Sequence, residues 1–129
     1  MKVRVGRNKT LLLVLFLLCL GVQAMADDPF LALADLQPGM KGQGLTVFSG
    51  TKVETFPVEI VGLMEGSGAA AQLILVKLTG GQNVAAGMSG SPVFVDGKLI
   101  GAIGYGFQNA DARFAVVTPI EAMLSLWED

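Results

Sequence analysis

From Gly44 onward the chain alternates apolar and polar positions with the two-residue period of extended backbone, not the 3.6-residue period of a helix. Leu45-Thr46-Val47-Phe48 and Val53 to Leu63 flank a turn at Ser49-Gly50, so the two segments are expected to pair as a hairpin. Pro57 interrupts the second segment and cannot donate to a ladder, which predicts a bulge or an edge there. Glu65-Gly66-Ser67-Gly68 and the three alanines after it read as a flexible connection. Gln72 to Leu78 is almost wholly apolar, the composition of a central strand, and Thr79-Gly80-Gly81-Gln82-Asn83 is a second glycine-rich loop that bends the chain. Val93-Phe94-Val95, an Asp96-Gly97 turn of type I′ and Leu99 to Phe107 form the next hairpin. The spacing of Gly101, Gly104 and Gly106 along its second arm suits a sharply coiled barrel strand or the close approach of another backbone.

After a polar loop at Gln108 to Ala112, Arg113 to Val117 is the last strand. Thr118-Pro119-Ile120-Glu121 then carries a helix start, with Thr118 as cap, Pro119 in the first position and Glu121 bonding back. Ile120, Met123, Leu124 and Trp127 share one face, which predicts a short helix packed on the sheet. At the other end, Asp27 to Gln37 is mixed in character: Leu31, Leu33 and Leu36 can dock as one helical turn before Pro38-Gly39, in a loosely held lead-in over 27–42. The expected domain, 43–129, is a mainly β, single antiparallel barrel with a short C-terminal helix.

The first 26 residues have a different character. Lys2, Arg4, Arg7 and Lys9 precede an apolar run from Leu11 to Val22, and Ala24-Met25-Ala26 fits the small-x-small rule of a secretory signal peptide. The run is short for a membrane span, so no stable anchor is expected after cleavage and the product is extracytoplasmic, secreted or periplasmic. Cleavage after Ala26 removes four of the nine basic residues and none of the eleven acidic ones, leaving 103 residues with a net charge of −6. A chain so acidic is a poor partner for nucleic acid. Cys19, the single cysteine, goes with the leader, so the core alone must hold the product together.

Candidate chemistry gathers at Gly87-Met88-Ser89-Gly90-Ser91-Pro92. A serine between glycines in a tight turn has an unobstructed hydroxyl, and Gly87 and Gly90 can take the positive φ angles that aim successive N–H groups at one point. That is the local form of an oxyanion hole beside a nucleophile. Pro92 bars a helix across the turn and Ser91 stands where an α/β-hydrolase elbow needs glycine, so that alternative is rejected. Ser49-Gly50-Thr51-Lys52 matches a serine–lysine motif by letters, but it lies in a hairpin turn and not at a helix start. Lys77 and Lys98 are the other conceivable bases, and neither sits in a stretch that converges on Ser89. Nothing in the sequence implies a cofactor or a metal.

The Gly-x-Ser-Gly-x-Pro turn, the Asp-Gly hairpin, Ile100-Gly101-Ala102-Ile103 and Phe114-Ala115-Val116-Val117 leading into a helix resemble the second barrel of trypsin-like serine peptidases. With Pro38-Gly39-Met40-Lys41-Gly42-Gln43-Gly44 and Thr46-Val47-Phe48, the wording Gly-Met-Ser-Gly-Ser-Pro is more specifically similar to the stage IV sporulation protein B peptidase family. The resemblance implies that Ser89 is the nucleophile and that the N–H groups of Gly87 and Ser89 are oxyanion donors. It also implies a histidine and an acid, yet the chain has no histidine and no Asp or Glu between Glu65 and Asp96, where the family carries its acid shortly ahead of the serine. In trypsin-like enzymes both belong to the first barrel, and a chain of this length supplies about one barrel. The leading reading is a portion of a larger exported peptidase, inactive alone, that associates with a missing peptidase half. The alternatives are a catalytically silent module that binds peptide or protein on the same fold, and a purely structural barrel in which Ser89 is a turn residue.

Overall fold

The computed structural model describes residues 26–128, and the expected signal peptide lies, but for its last residue, outside the described residues. Six strands, β1 (Lys41–Thr46), β2 (Glu54–Ser67), β3 (Ala70–Leu78), β4 (Pro92–Val95), β5 (Lys98–Gly106) and β6 (Phe114–Pro119), close into an antiparallel barrel in the ring order β1-β2-β3-β6-β5-β4. A short helix, α1 (Ile120–Leu124), follows β6. The mainly β barrel with a C-terminal helix is the architecture that the alternating pattern predicts.

The core is the inward half of each alternation. Phe56, Val58 and Ile60 from β2, Ile74, Val76 and Leu78 from β3, Val93 and Val95 from β4 and Ile100 and Ile103 from β5 are all but inaccessible to solvent. Burying each such side chain contributes about 1.5–3 kcal/mol relative to leaving it in water. β1 begins earlier than the Leu45 start read from the pattern and leaves Val47 and Phe48 beyond its end. Its early residues hide their strand character because two are glycines. At Gly44 a β-carbon would overlap the buried Phe56 ring, so only glycine lets β1 lie against that side chain.

The Asp96-Gly97 connection has positive φ at both residues, 51° and 74°, as a type I′ turn requires. Pro57 occupies neither a bulge nor the rim of an open sheet. It pairs with Gln43 on β1 and its carbonyl accepts the Thr79 N–H at 3.0 Å, while the β2–β3 ladder begins one residue later at Val58. The β2 bulge falls instead between Ile60 and Gly62. Nor is the segment from Glu65 a flexible connection: β2 runs on to Ser67 and turns directly into β3.

The lead-in is tied down rather than loose. Leu31 N–H donates to Leu99 O and Leu99 N–H to Pro29 O, while Gly39 N–H donates to Ile60 O and Ile60 N–H to Met40 O. Between these anchors Leu33–Asp35 makes one 3-10 turn, the single turn expected, and Leu36 joins the core at 7% exposure. The C-terminal helix departs further from expectation. Thr118 and Pro119 belong to β6, no side chain caps α1, and the Glu121 carboxylate accepts a bond from Leu33 N–H of the lead-in at 3.2 Å. Of the four residues of the apolar face only Ile120 is buried, and Trp127 is 86% exposed.

Candidate active site

The turn carrying Ser89 is fastened to the middle of β5. Gly90 N–H donates to Ile103 O at 2.7 Å and Ile103 N–H returns a bond to Ser91 O at 2.9 Å. Within the turn Met88 N–H donates to Ala85 O and Ser91 N–H to Met88 O. Met88 itself points into the core, 2% exposed, and its Sδ accepts the Ala85 N–H at 3.3 Å. Gly87 has φ 95° and Gly90 φ 86°, values that residues with a β-carbon rarely adopt. The result is a loop with Met88 buried and Ser89 exposed beside it.

Two amides are left over. Among the described residues, the N–H groups of Gly87 and Ser89 have no hydrogen-bond acceptor, whereas those of Met88, Gly90 and Ser91 do. The Ser89 hydroxyl donates to the carbonyl of Gly104 at 2.8 Å. Gly104 is the extra residue of a β5–β6 bulge between Ile103 and Tyr105, which releases its carbonyl from the ladder. The glycine rhythm in this strand predicts close approach of another backbone, but nothing in it singled out that carbonyl as a partner for Ser89.

A groove lies on either side of Ser89. One, of about 310 Å³, runs between Val84–Ala86 and Tyr105–Gln108, at and just past the end of β5. The other, of about 470 Å³, lies between Leu45–Val47, at and just past the end of β1, and the turn from Gly87 to Pro92. Among the described residues, Tyr105 is the one ionisable side chain lining either of them. Both open where pairing lapses: β4 leaves β5 after Ala102, and β1 leaves β4 after Gly44, opposite Val93.

The conceivable lysine bases are engaged elsewhere. Lys98 forms an ion pair with Asp27 at 2.9 Å, and that hydrogen bond raises its pKa above the ordinary lysine value, the wrong direction for a base. The Lys77 ammonium lies over the Phe114 ring, 5.7 Å from its centre. Ser49 to Thr51 forms a turn, as read, and Lys52 pairs with Glu54 at 3.5 Å. Asp111, which lines neither groove, is held at about 2 by the side-chain and backbone donors of Arg113. No cluster of three metal-ligating side chains occurs among the described residues.

A closed six-stranded barrel that presents a glycine-flanked serine beside two unoccupied amides defines a serine-peptidase-like domain. The chain belongs to the family described as SpoIVB peptidase S55, which matches residues 31–124. No curated protein matches it.

Proposed function

We propose that this chain is the serine-bearing part of an exported endopeptidase, in which Ser89 is the nucleophile and its general base arrives on polypeptide outside the described residues. Ser89 Oγ would attack a peptide carbonyl as its proton passes to that base, and the oxyanion would rest on the Gly87 and Ser89 amides. The base then hands the proton to the departing amine, and water later frees the acyl group. The single observation carrying this reading is the exposed hydroxyl beside two N–H groups that the fold leaves unbonded. Export rests on the basic and apolar start of the chain and the Ala24-Met25-Ala26 site, and the partner expected is the peptidase half bearing the histidine. An extended substrate would lie along the flank of Gly104–Gly106 that no strand covers.

A fluorophosphonate probe tests the reading. The purified chain alone should react little, and labelling at Ser89 should appear when imidazole is added, rising with its free-base fraction near pH 7. Ser89→Ala should abolish it. Brisk labelling without imidazole would show that the base is already present, and no labelling under either condition would remove the nucleophile. One observation favours a silent peptide-binding module instead: the Ser89 proton is directed at a backbone carbonyl, which cannot take it. On that reading peptide binding survives Ser89→Ala and is lost when Gly87→Val strains the left-handed backbone of the turn.

A further inference from the structure

The seam between β1 and β4 is short. Three register pairs join them, Gly42 with Val95, Gln43 with Phe94 and Gly44 with Val93. The next residue of β4 is Pro92, which has no N–H to continue the ladder, and the seam opens there into the larger groove beside Ser89. Just past the gap, the Ser91 hydroxyl donates to Thr46 Oγ1 at 2.9 Å, with both residues only 7% exposed. This buried pair joins the end of β1 to the turn at the point where backbone pairing has stopped. Ser91 is also the residue whose N–H and carbonyl hold the turn to Met88 and to Ile103, so a displacement of Ser91 is passed directly to Gly90 and Ser89.

We infer that Thr46 and Ser91 are positioning residues: their hydroxyl pair replaces the ladder bond that Pro92 cannot make and fixes the orientation of the Ser89 turn. The bond is present whatever chemistry Ser89 performs, and its consequence for reactivity rests on the peptidase reading. A hydroxyl pair buried at this depth is costly to half-remove, because the remaining partner is left without a bond.

Amide hydrogen exchange on the full chain tests the positioning. In Ser91→Ala the amides of Gly90, Ser91 and Ile103 should exchange roughly tenfold faster, while those of Ile74 and Val76 in β3 keep their protection. Thr46→Ser, which keeps the hydroxyl, should behave as wild type, and Thr46→Val combined with Ser91→Ala should be no worse than Ser91→Ala alone. Exchange that rises equally in β3, or stays unchanged around Ser89, would overturn the inference. A peptide boronate supplies the second readout. The Ser89 hydroxyl releases its proton to water as its oxygen bonds to boron, and the boron becomes tetrahedral with an oxygen on the Gly87 and Ser89 amides. Its affinity should fall about tenfold in Ser91→Ala and be kept in Thr46→Ser. If the wild-type chain ignores the boronate, the nucleophile reading fails, and the exchange result still decides whether the pair positions the turn.

Discussion

Ser89 owes its setting to its neighbours more than to itself. Buried Met88 on one side and left-handed Gly87 and Gly90 around it leave the hydroxyl as the part of the turn that faces out. The six-residue motif revealed this much directly, because glycine spacing constrains backbone angles wherever it occurs. The carbonyl of Gly104 and the hydroxyl of Thr46 were beyond its reach, since both come from strands distant in sequence and depend on a bulge and on a seam. Asp111 offers a test at one side chain. Its two oxygens take the Arg113 guanidinium at 2.6–3.1 Å, and its pKa falls to about 2 from 3.8. Because the folded value lies below the unfolded one, the ion pair stabilises the loop fully above about pH 4 and is lost as pH falls through 2. The carboxyl carbon resonance of Asp111 should therefore titrate near 2, and in Arg113→Gln its midpoint should return toward the ordinary value.

Strands with a strict two-residue alternation were readable, as was the Asp96-Gly97 turn, because their side chains must sort between core and water. Elements whose identity depends on a tertiary partner were not. The cap motif at Thr118 failed because β5 claims Thr118 and Pro119 for its ladder, leaving the helix to begin uncapped at Ile120. The lead-in looked loose because its few leucines show no period, yet it runs against β5 and β2 and inserts Leu36 among the core residues. Truncating that side chain measures the difference. Leu36→Ala should lower stability by about 2–3 kcal/mol in urea denaturation, where a dangling segment would give almost no change.

Taken whole, the barrel depends on contacts between residues far apart in sequence, since β1 must find β4 and β3 must find β6 before the ring closes. Folding monitored by Trp127-independent circular dichroism should accordingly take milliseconds to seconds, far slower than a helical bundle of equal size. No cysteine lies beyond Cys19, so with residues 1–26 removed the same rate should be found with and without reductant. Ring closure also bears on what happens when a guest strand arrives. Every strand has a neighbour on both sides over part of its length, and the vacancies beside Leu45 and Gly104 are only a few residues long. A peptide bound there, as the proposed function has it, would expose no fresh template of comparable length behind it, so binding in such a gap would stop at one visitor and not grow into a fibre.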